Sequence, residues 1–342
     1  MINIGTILLS APLMTSGAAE NVTAYDLIMA VREDSATHVS LRGDESPVTV
    51  DVSGFLQFRY LYNDGGSDSV TRGFDVERAR IQFSGKVYDF DYSVSGQWSD
   101  TEFVLKDAFL SGSFGGFDVK AGQFVTKFFD GYVSDPTTLI DGEYSIAALT
   151  FGQGWSQGVE VSRSFDAFNL YASYNDGFNT DNSTYGDNDY GFSARLEYDA
   201  FENFTLGGAY AYQNTVAENY SSYTVDAGAQ FGAFDVNAAL VGAEWNDSWN
   251  NYSAVGTVSY NLDSEFQVFG QYEYGVLENS STDLSIGTIG VNYLFNDNVR
   301  WTNSVGYSLN GIDGSYNLYD TGWEATNDSG QYLIRSMIQI TF

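Results

Sequence analysis

The stretch VERARIQFSGKV (76–87) decides the fold. Arg78, Arg80, Gln82, Ser84 and Lys86 fall on even positions, and Ala79, Ile81, Phe83 and Val87 on odd ones. A period of two is that of a β-strand with one polar and one apolar face. The same alternation recurs along the chain. Leu56, Phe58 and Tyr60 alternate with Gln57 and Arg59; Phe90, Tyr92, Val94 and Trp98 with Asp91, Ser93, Ser95 and Gln97; and Ile334, Ile338 and Ile340 with Arg335 and Gln339.

Sixteen segments read this way: 48–62, 72–87, 90–99, 103–114, 117–127, 158–164, 168–176, 190–199, 204–213, 223–231, 234–245, 252–261, 265–275, 283–295, 299–310 and 331–342. Their connections alternate between short ones, such as YD, GG and FDA, and longer ones, such as 63–71, 128–157, 177–189 and 311–330. Aromatics flank the short turns in SFGGF, SFDAF, AFENF and FGAF, as an interfacial girdle requires. An even strand count with alternating connections implies an all-β fold: a 16-stranded antiparallel transmembrane β-barrel with short periplasmic turns and longer outer loops. A soluble sandwich needs neither the alternation of connections nor the turn aromatics.

Composition agrees. The net charge is −31, from 14 Lys plus Arg against 45 Asp plus Glu, yet 16% of residues are aromatic and Gly outnumbers Pro by 36 to 3. A disordered acidic chain has few aromatics. So acidic a chain does not suit nucleic acid, whose phosphates need a basic face. Zero Cys removes disulfides and thiolate chemistry, and no cofactor site is legible. The loop 175–189 offers Asp176, Asp181, Asp187 and Asp189, but their spacing matches no EF-hand and reads as a solvated loop. An apolar run from Ile4 to Met14 before Ser16, Gly17, Ala18 and Ala19 predicts a signal peptide over 1–19, although no Lys or Arg precedes Arg32. Residues 20–47 then form a periplasmic leader or linker, and 48–342 the barrel.

At RGFDVERARIQFSGKV the chain resembles the phosphate-selective porin O and P family of outer-membrane porins. Phe74, Arg78, Ala79, Arg80 and Gly85 match that family's second strand, while Glu77 stands where the first Arg of its cluster would be. LKDAFLSGSFGGFDVKAGQF (105–124) and GVEVSRSFDAFNLYASYNDGFN (158–179) are similar to further strands of the family. The resemblance implies a homotrimer and a third loop folded into the lumen. The final strand, closing on Phe342, resembles the signal read by the barrel-assembly machinery.

Sixteen strands enclose more space than their side chains fill, so a water-filled channel for passive diffusion of ions and small hydrophilic solutes is expected. A lipid-facing Lys or Arg at midplane costs ~2–4 kcal/mol, so parity turns Arg59, Arg78, Arg80, Lys86, Arg195, Arg300 and Arg335 inward, with Lys120. Arg335, Arg59, Arg78 and Arg80 come from neighbouring strands and should form one basic wall. The 30-residue connection 128–157 carries Asp130, Asp135, Asp141 and Glu143 and no base. Bent into the lumen, it would face the basic wall and set a transverse field; the alternative is that the arginines pair with Asp51, Glu77 or Glu197 and brace the wall. The outer loops hold only acids, so a weak or cation-leaning selectivity is expected, and the same acids suit divalent-bridged lipopolysaccharide in the surrounding outer-membrane lipid. The alternatives are an anion (phosphate)-selective porin and a non-conducting structural or adhesive barrel. A sugar channel would need lumenal aromatics, which parity places mostly on the lipid side; Tyr132, Tyr144 and Trp155 of the long loop are examples that could form a short track. A hydrolase would need a Ser–His pair, and the only histidine, His38, precedes the barrel.

Overall fold

A computed structural model describes residues 48–65, 70–99, 102–179, 189–201, 203–214, 219–245 and 248–342. The expected signal segment and the whole of the leader, 20–47, lie outside the described residues, as do His38, Asp181 and Asp187.

Sixteen strands form one closed antiparallel barrel. They are β1 (Asp51–Asp64), β2 (Val70–Val87), β3 (Phe90–Ser99), β4 (Glu102–Phe114), β5 (Phe117–Val125), β6 (Trp155–Phe165), β7 (Phe168–Asn175) and β8 (Tyr190–Phe201). The second half holds β9 (Phe204–Asn214), β10 (Asn219–Phe231), β11 (Phe234–Trp245), β12 (Ser248–Asn261), β13 (Phe266–Val276), β14 (Leu284–Asn296), β15 (Val299–Ser308) and β16 (Tyr332–Thr341). Each strand pairs with its sequence neighbours, and β16 pairs with β1 to close the ring. The seam ends in a reciprocal pair of bonds, Gly54 N–H to Phe342 O at 2.9 Å and Phe342 N–H to Gly54 O at 3.0 Å.

Several strands run past the alternating segments. β6 opens at Trp155 rather than 158, β10 at Asn219 rather than 223, and β12 at Ser248 rather than 252. β5 stops at Val125, two residues early. The added ends are rich in Asn and Ser because they rise above the lipid, where backbone pairing continues but no apolar face is required. The ladder bonds Tyr220 opposite Gln213 and Ser156 opposite Phe124 carry them.

The burial pattern is inside out relative to a soluble protein. Gln57 and Asn63 are 0% exposed and Arg59 3%, while Leu110, Phe231 and Ile289 are 53%, 67% and 70% exposed. An apolar exterior around a polar interior is stable only where the outside medium is hydrocarbon. Aromatic rings meet at both ends of the strands. Phe90–Phe114, Phe165–Phe168, Phe234–Tyr260 and Phe266–Tyr293 mark the short-turn end; Tyr60–Phe74, Tyr62–Tyr332, Tyr174–Tyr190 and Tyr252–Tyr274 mark the other. Within β8, Tyr190 and Tyr198 are about 27 Å apart at ~3.4 Å per residue, or about 20 Å along the axis for a ~40° tilt. That is the scale of an outer-membrane hydrocarbon band.

One defect in the ladder matters for the interior. Gln57 faces Arg78, but Phe58 faces Val76, so Glu77 is an unpaired bulge residue in β2. A bulge resets parity. Phe74 and Val76 therefore point outward above it, Ala79 and Ile81 below it, and Glu77 and Arg78 both turn inward, at 3% and 7% exposure.

Candidate functional site

The connection from β5 to β6, residues 126–154, carries two short helices, α1 (Asp130–Val133) and α2 (Ile146–Phe151). Ser145 caps α2, its hydroxyl accepting from Ala148 N–H at 3.0 Å. The segment touches strands spaced around the whole ring. Gln57 on β1 donates to Gly142 O (3.3 Å), Gln339 on β16 to Thr137 O (3.1 Å) and Asn292 on β14 to Ile140 O (3.0 Å). Glu273 on β13 accepts from Ala147 N–H (3.4 Å), Ser222 on β10 accepts from Gln153 (3.3 Å), and Arg195 on β8 donates to Phe128 O (3.0 Å). Only a loop inside a closed barrel reaches all of these.

The basic wall and the acidic loop meet directly. Glu143 accepts from Arg59 at 2.8 Å and Arg78 at 3.0 Å, and lies 3.9 Å from Arg335. Arg335 also pairs closely with Asp141 and donates to Thr321 O at 2.7 Å. Arg59 pairs with Asp75 at 2.9 Å and with Glu77, and donates to Asp320 O at 2.6 Å. Arg78 pairs with Glu77 at 2.8 Å and lies 5.4 Å from the Tyr144 ring centre. Burial alone would raise the Glu143 carboxyl, but Arg78, Arg335 and Arg59 outweigh it and hold the group below its ordinary value. The expected transverse field needs a gap between loop and wall. Here the loop carboxylates stand in contact with the arginines, so the charges compensate where they sit.

The other sequence candidates are dispersed. Arg80 donates to Gln97 at 2.8 Å and stacks 5.1 Å from Phe55 and 5.5 Å from Trp155. Lys120 pairs with Glu160 at 2.9 Å, and Lys86 with Asp91 at 3.3 Å in an exposed position near the β2–β3 turn. Arg195, on the far side, holds Glu197 at 2.8 Å and Asp226 at 2.7 Å. Asp130 pairs with Lys127 at 3.0 Å, and Asp135 caps its own turn through Thr137 N–H at 2.8 Å.

Sequence reasoning missed a second component. Phe128, Phe129, Ile146, Ala147, Ala148 and Phe151 of the loop form an apolar cluster with Ile286 and Leu333 of the wall and with Ile312, Tyr316 and Trp323 of the 309–331 connection. That connection reads as an acidic outer loop, yet it folds onto the inner one, with Asn317 donating to Leu149 O at 3.1 Å. Its isolated Ile, Tyr and Trp were the available signal.

The loop leaves open space on the other side. A cavity of about 450 Å³ lies between Phe129–Gly131 and Thr138–Ile140 and the wall of β9 to β13, with Arg300 of β15 also lining it. The wall contributes Asp226, Asp235, Asn237, Thr257, Ser259 and Gln267. Its small neutral side chains make the room that the bulky arginine wall does not.

Residues 10–313 match the sequence profile of the Gram-negative porin family. No curated protein sequence matches. Among solved structures, the chain is similar to in-vitro-folded OmpT, an outer-membrane protein of Vibrio cholerae in its trimer form. The TM-score is 0.65 at 16% identity, over 86% of this chain and 99% of that one. Salmonella typhi OmpF in complex with daunomycin gives 0.65 at 15%, over 89% and 100%. An anion-selective porin from Comamonas acidovorans gives 0.62 at 11%, over 86% and 100%.

Proposed function

Because the chain belongs to the Gram-negative porin family, whose members are outer-membrane channels for small solutes, we propose that it is a general diffusion porin of weakly cation-leaning selectivity. The observation that carries this is the 450 Å³ polar cavity left beside a loop pinned inside the barrel. Water-lined space of that size admits small hydrophilic solutes and excludes folded chains. The cation lean follows from charge. The arginines Arg59, Arg78 and Arg335 are compensated by Asp75, Glu77, Asp141 and Glu143, while the outer connections contain acids and, apart from Lys127, which pairs with Asp130 in the inner loop, no Lys or Arg. This argues against the phosphate-selective alternative, which needs a cluster of arginines free to meet the anion. It also removes Arg59, Arg78 and Arg335 from direct contact with solute; Glu143 and Asp141 position the loop instead.

The trimer form of the Vibrio cholerae structure supports a homotrimer here. Outer-leaflet lipid and lipopolysaccharide are the surroundings of the aromatic girdles, and the strand ending at Phe342 is the segment offered to the assembly machinery. Proteoliposome swelling with uncharged solutes of graded size tests the reading. Uptake that falls steeply with size is the expected result; exclusion of every solute would favour a non-conducting barrel.

A further inference from the structure

Five charged side chains line the 450 Å³ cavity: Asp130, Glu143, Asp226, Asp235 and Arg300. Three are compensated, Asp130 by Lys127, Glu143 by Arg59 and Arg78, and Asp226 by Arg195. The other two form no ion pair, although Arg300 lies within the field of Asp141, which Arg335 already holds. Among the described residues, Asp235 has no basic side chain within 4.0 Å and Arg300 has no carboxylate within 4.0 Å. Arg300 donates only to the neutral Gln339 at 3.1 Å, and its Nε is buried with no acceptor. Each residue is the second of its strand, after Phe234 in β11 and Val299 in β15, so both stand near the short-turn mouth of the cavity.

β11 and β15 are four strands apart in the ring, about 19 Å along the wall at ~4.8 Å per strand. That exceeds the Debye length of ~8 Å at physiological salt, so the two charges do not cancel and each acts on its own surroundings. Between them the wall is neutral and hydrogen-bonding, with Asn237, Thr257, Ser259, Gln267 and Gln271.

Resting on the channel reading above, we propose that Asp235 and Arg300 act as separate, opposed cation and anion sites at the two ends of one slot, each tuning ion selectivity in its own direction on top of the lean given by the outer acids, while the arginine cluster does not. In water a unit charge at ~6 Å, screened over the ~8 Å Debye length, changes the local concentration of a monovalent ion by about 1.7-fold, in opposite senses for K⁺ and Cl⁻, so their ratio changes about threefold. Asp235→Asn then lowers the K⁺/Cl⁻ permeability ratio about threefold, Arg300→Gln raises it about threefold, and the double variant returns close to wild type.

The experiment is the reversal potential in a KCl gradient for wild type and the three variants, each first shown to migrate as a folded barrel. Opposite shifts support the proposal. A merely structural role, loosening the wall, moves both in one direction. Shifts of the same sign, or both under about 1.5-fold with conductance intact, overturn the proposal while leaving the channel reading standing. A wild type that passes no current overturns both. Should Asp235→Asn not assemble, Thr257→Lys, opposite Asn237 in the ladder, carries the same test and must lower the ratio.

Discussion

Replacing Glu143 by Gln tests how the loop is held. The carboxylate stands 2.8 Å from Arg59, 3.0 Å from Arg78 and 3.9 Å from Arg335, all buried. Breaking a buried ion pair by removing one partner costs about 3–5 kcal/mol, because the remaining charge is left uncompensated. The amide keeps one acceptor, which places Glu143→Gln near the lower end, at about 3 kcal/mol. The loss falls on the docked loop. The strand ladders that close the barrel do not involve Glu143. At 1.4 kcal/mol per decade, loop opening becomes about 100-fold more frequent. Native-state hydrogen exchange reads this at α2, where Leu149 N–H bonds Ser145 O at 3.1 Å and Gly152 N–H bonds Ala148 O at 2.8 Å. Those amides should exchange about 100-fold faster in the variant, with amides of β10 to β12 unchanged. Acceleration under about threefold would refute the argument that the ion pairs hold the loop.

Trp323→Ala should open the 309–331 connection. The indole packs in the lumenal apolar cluster, and losing a buried Trp costs about 3–5 kcal/mol, visible as new protease cleavage there while the barrel stays intact. Gly122 has φ +136°, and a Cβ would meet Ala108 O at 2.2 Å, so Gly122→Ala should cut the yield of heat-modifiable folded barrel sharply; wild-type yield would contradict this. Asp313 accepts from Ser281 N–H and Oγ–H, both at 2.7 Å, and from Ser315 N–H at 2.9 Å and Oγ–H at 2.7 Å, which hold its carboxyl well below the usual range. A depressed folded pKa contributes stability that is full above the unfolded value of ~3.9 and is lost as pH falls through the folded value. Exchange protection of the Ser281 and Ser315 amides should therefore persist at pH 4 and vanish only in stronger acid. Loss between pH 6 and 5 would contradict it.

The barrel was legible because lipid enforces parity. Leu56, Phe58 and Tyr60 have to face outward together, and the alternation survives in any strand that crosses the hydrocarbon. Where that constraint ends, so does the signal. The Asn- and Ser-rich starts of β10 and β12 rise beyond the lipid, and nothing in their composition marks them as strand. The bulge at Glu77 is legible only through its consequence, two adjacent charged residues that both need the lumen. Parity places a side chain on a face but not at a distance. It turns Arg59, Arg78 and Arg335 inward, yet contact with Glu143 depends on how far a loop 65 residues away in sequence from Arg78 reaches across the lumen. The apolar cluster of Phe128, Ile146, Ile312 and Trp323 was illegible for a related reason. Scattered hydrophobics in two separate loops carry no period, and only their meeting inside the barrel shows that they share a core.

The most direct test of a water-filled channel narrowed by a charge-compensated loop is single-channel recording of the wild-type protein in a planar bilayer, with ion selectivity from a KCl gradient. Stepwise current with a modest preference for K⁺ is the expected result. A silent bilayer, or a strong preference for Cl⁻ such as free arginines would give, contradicts it.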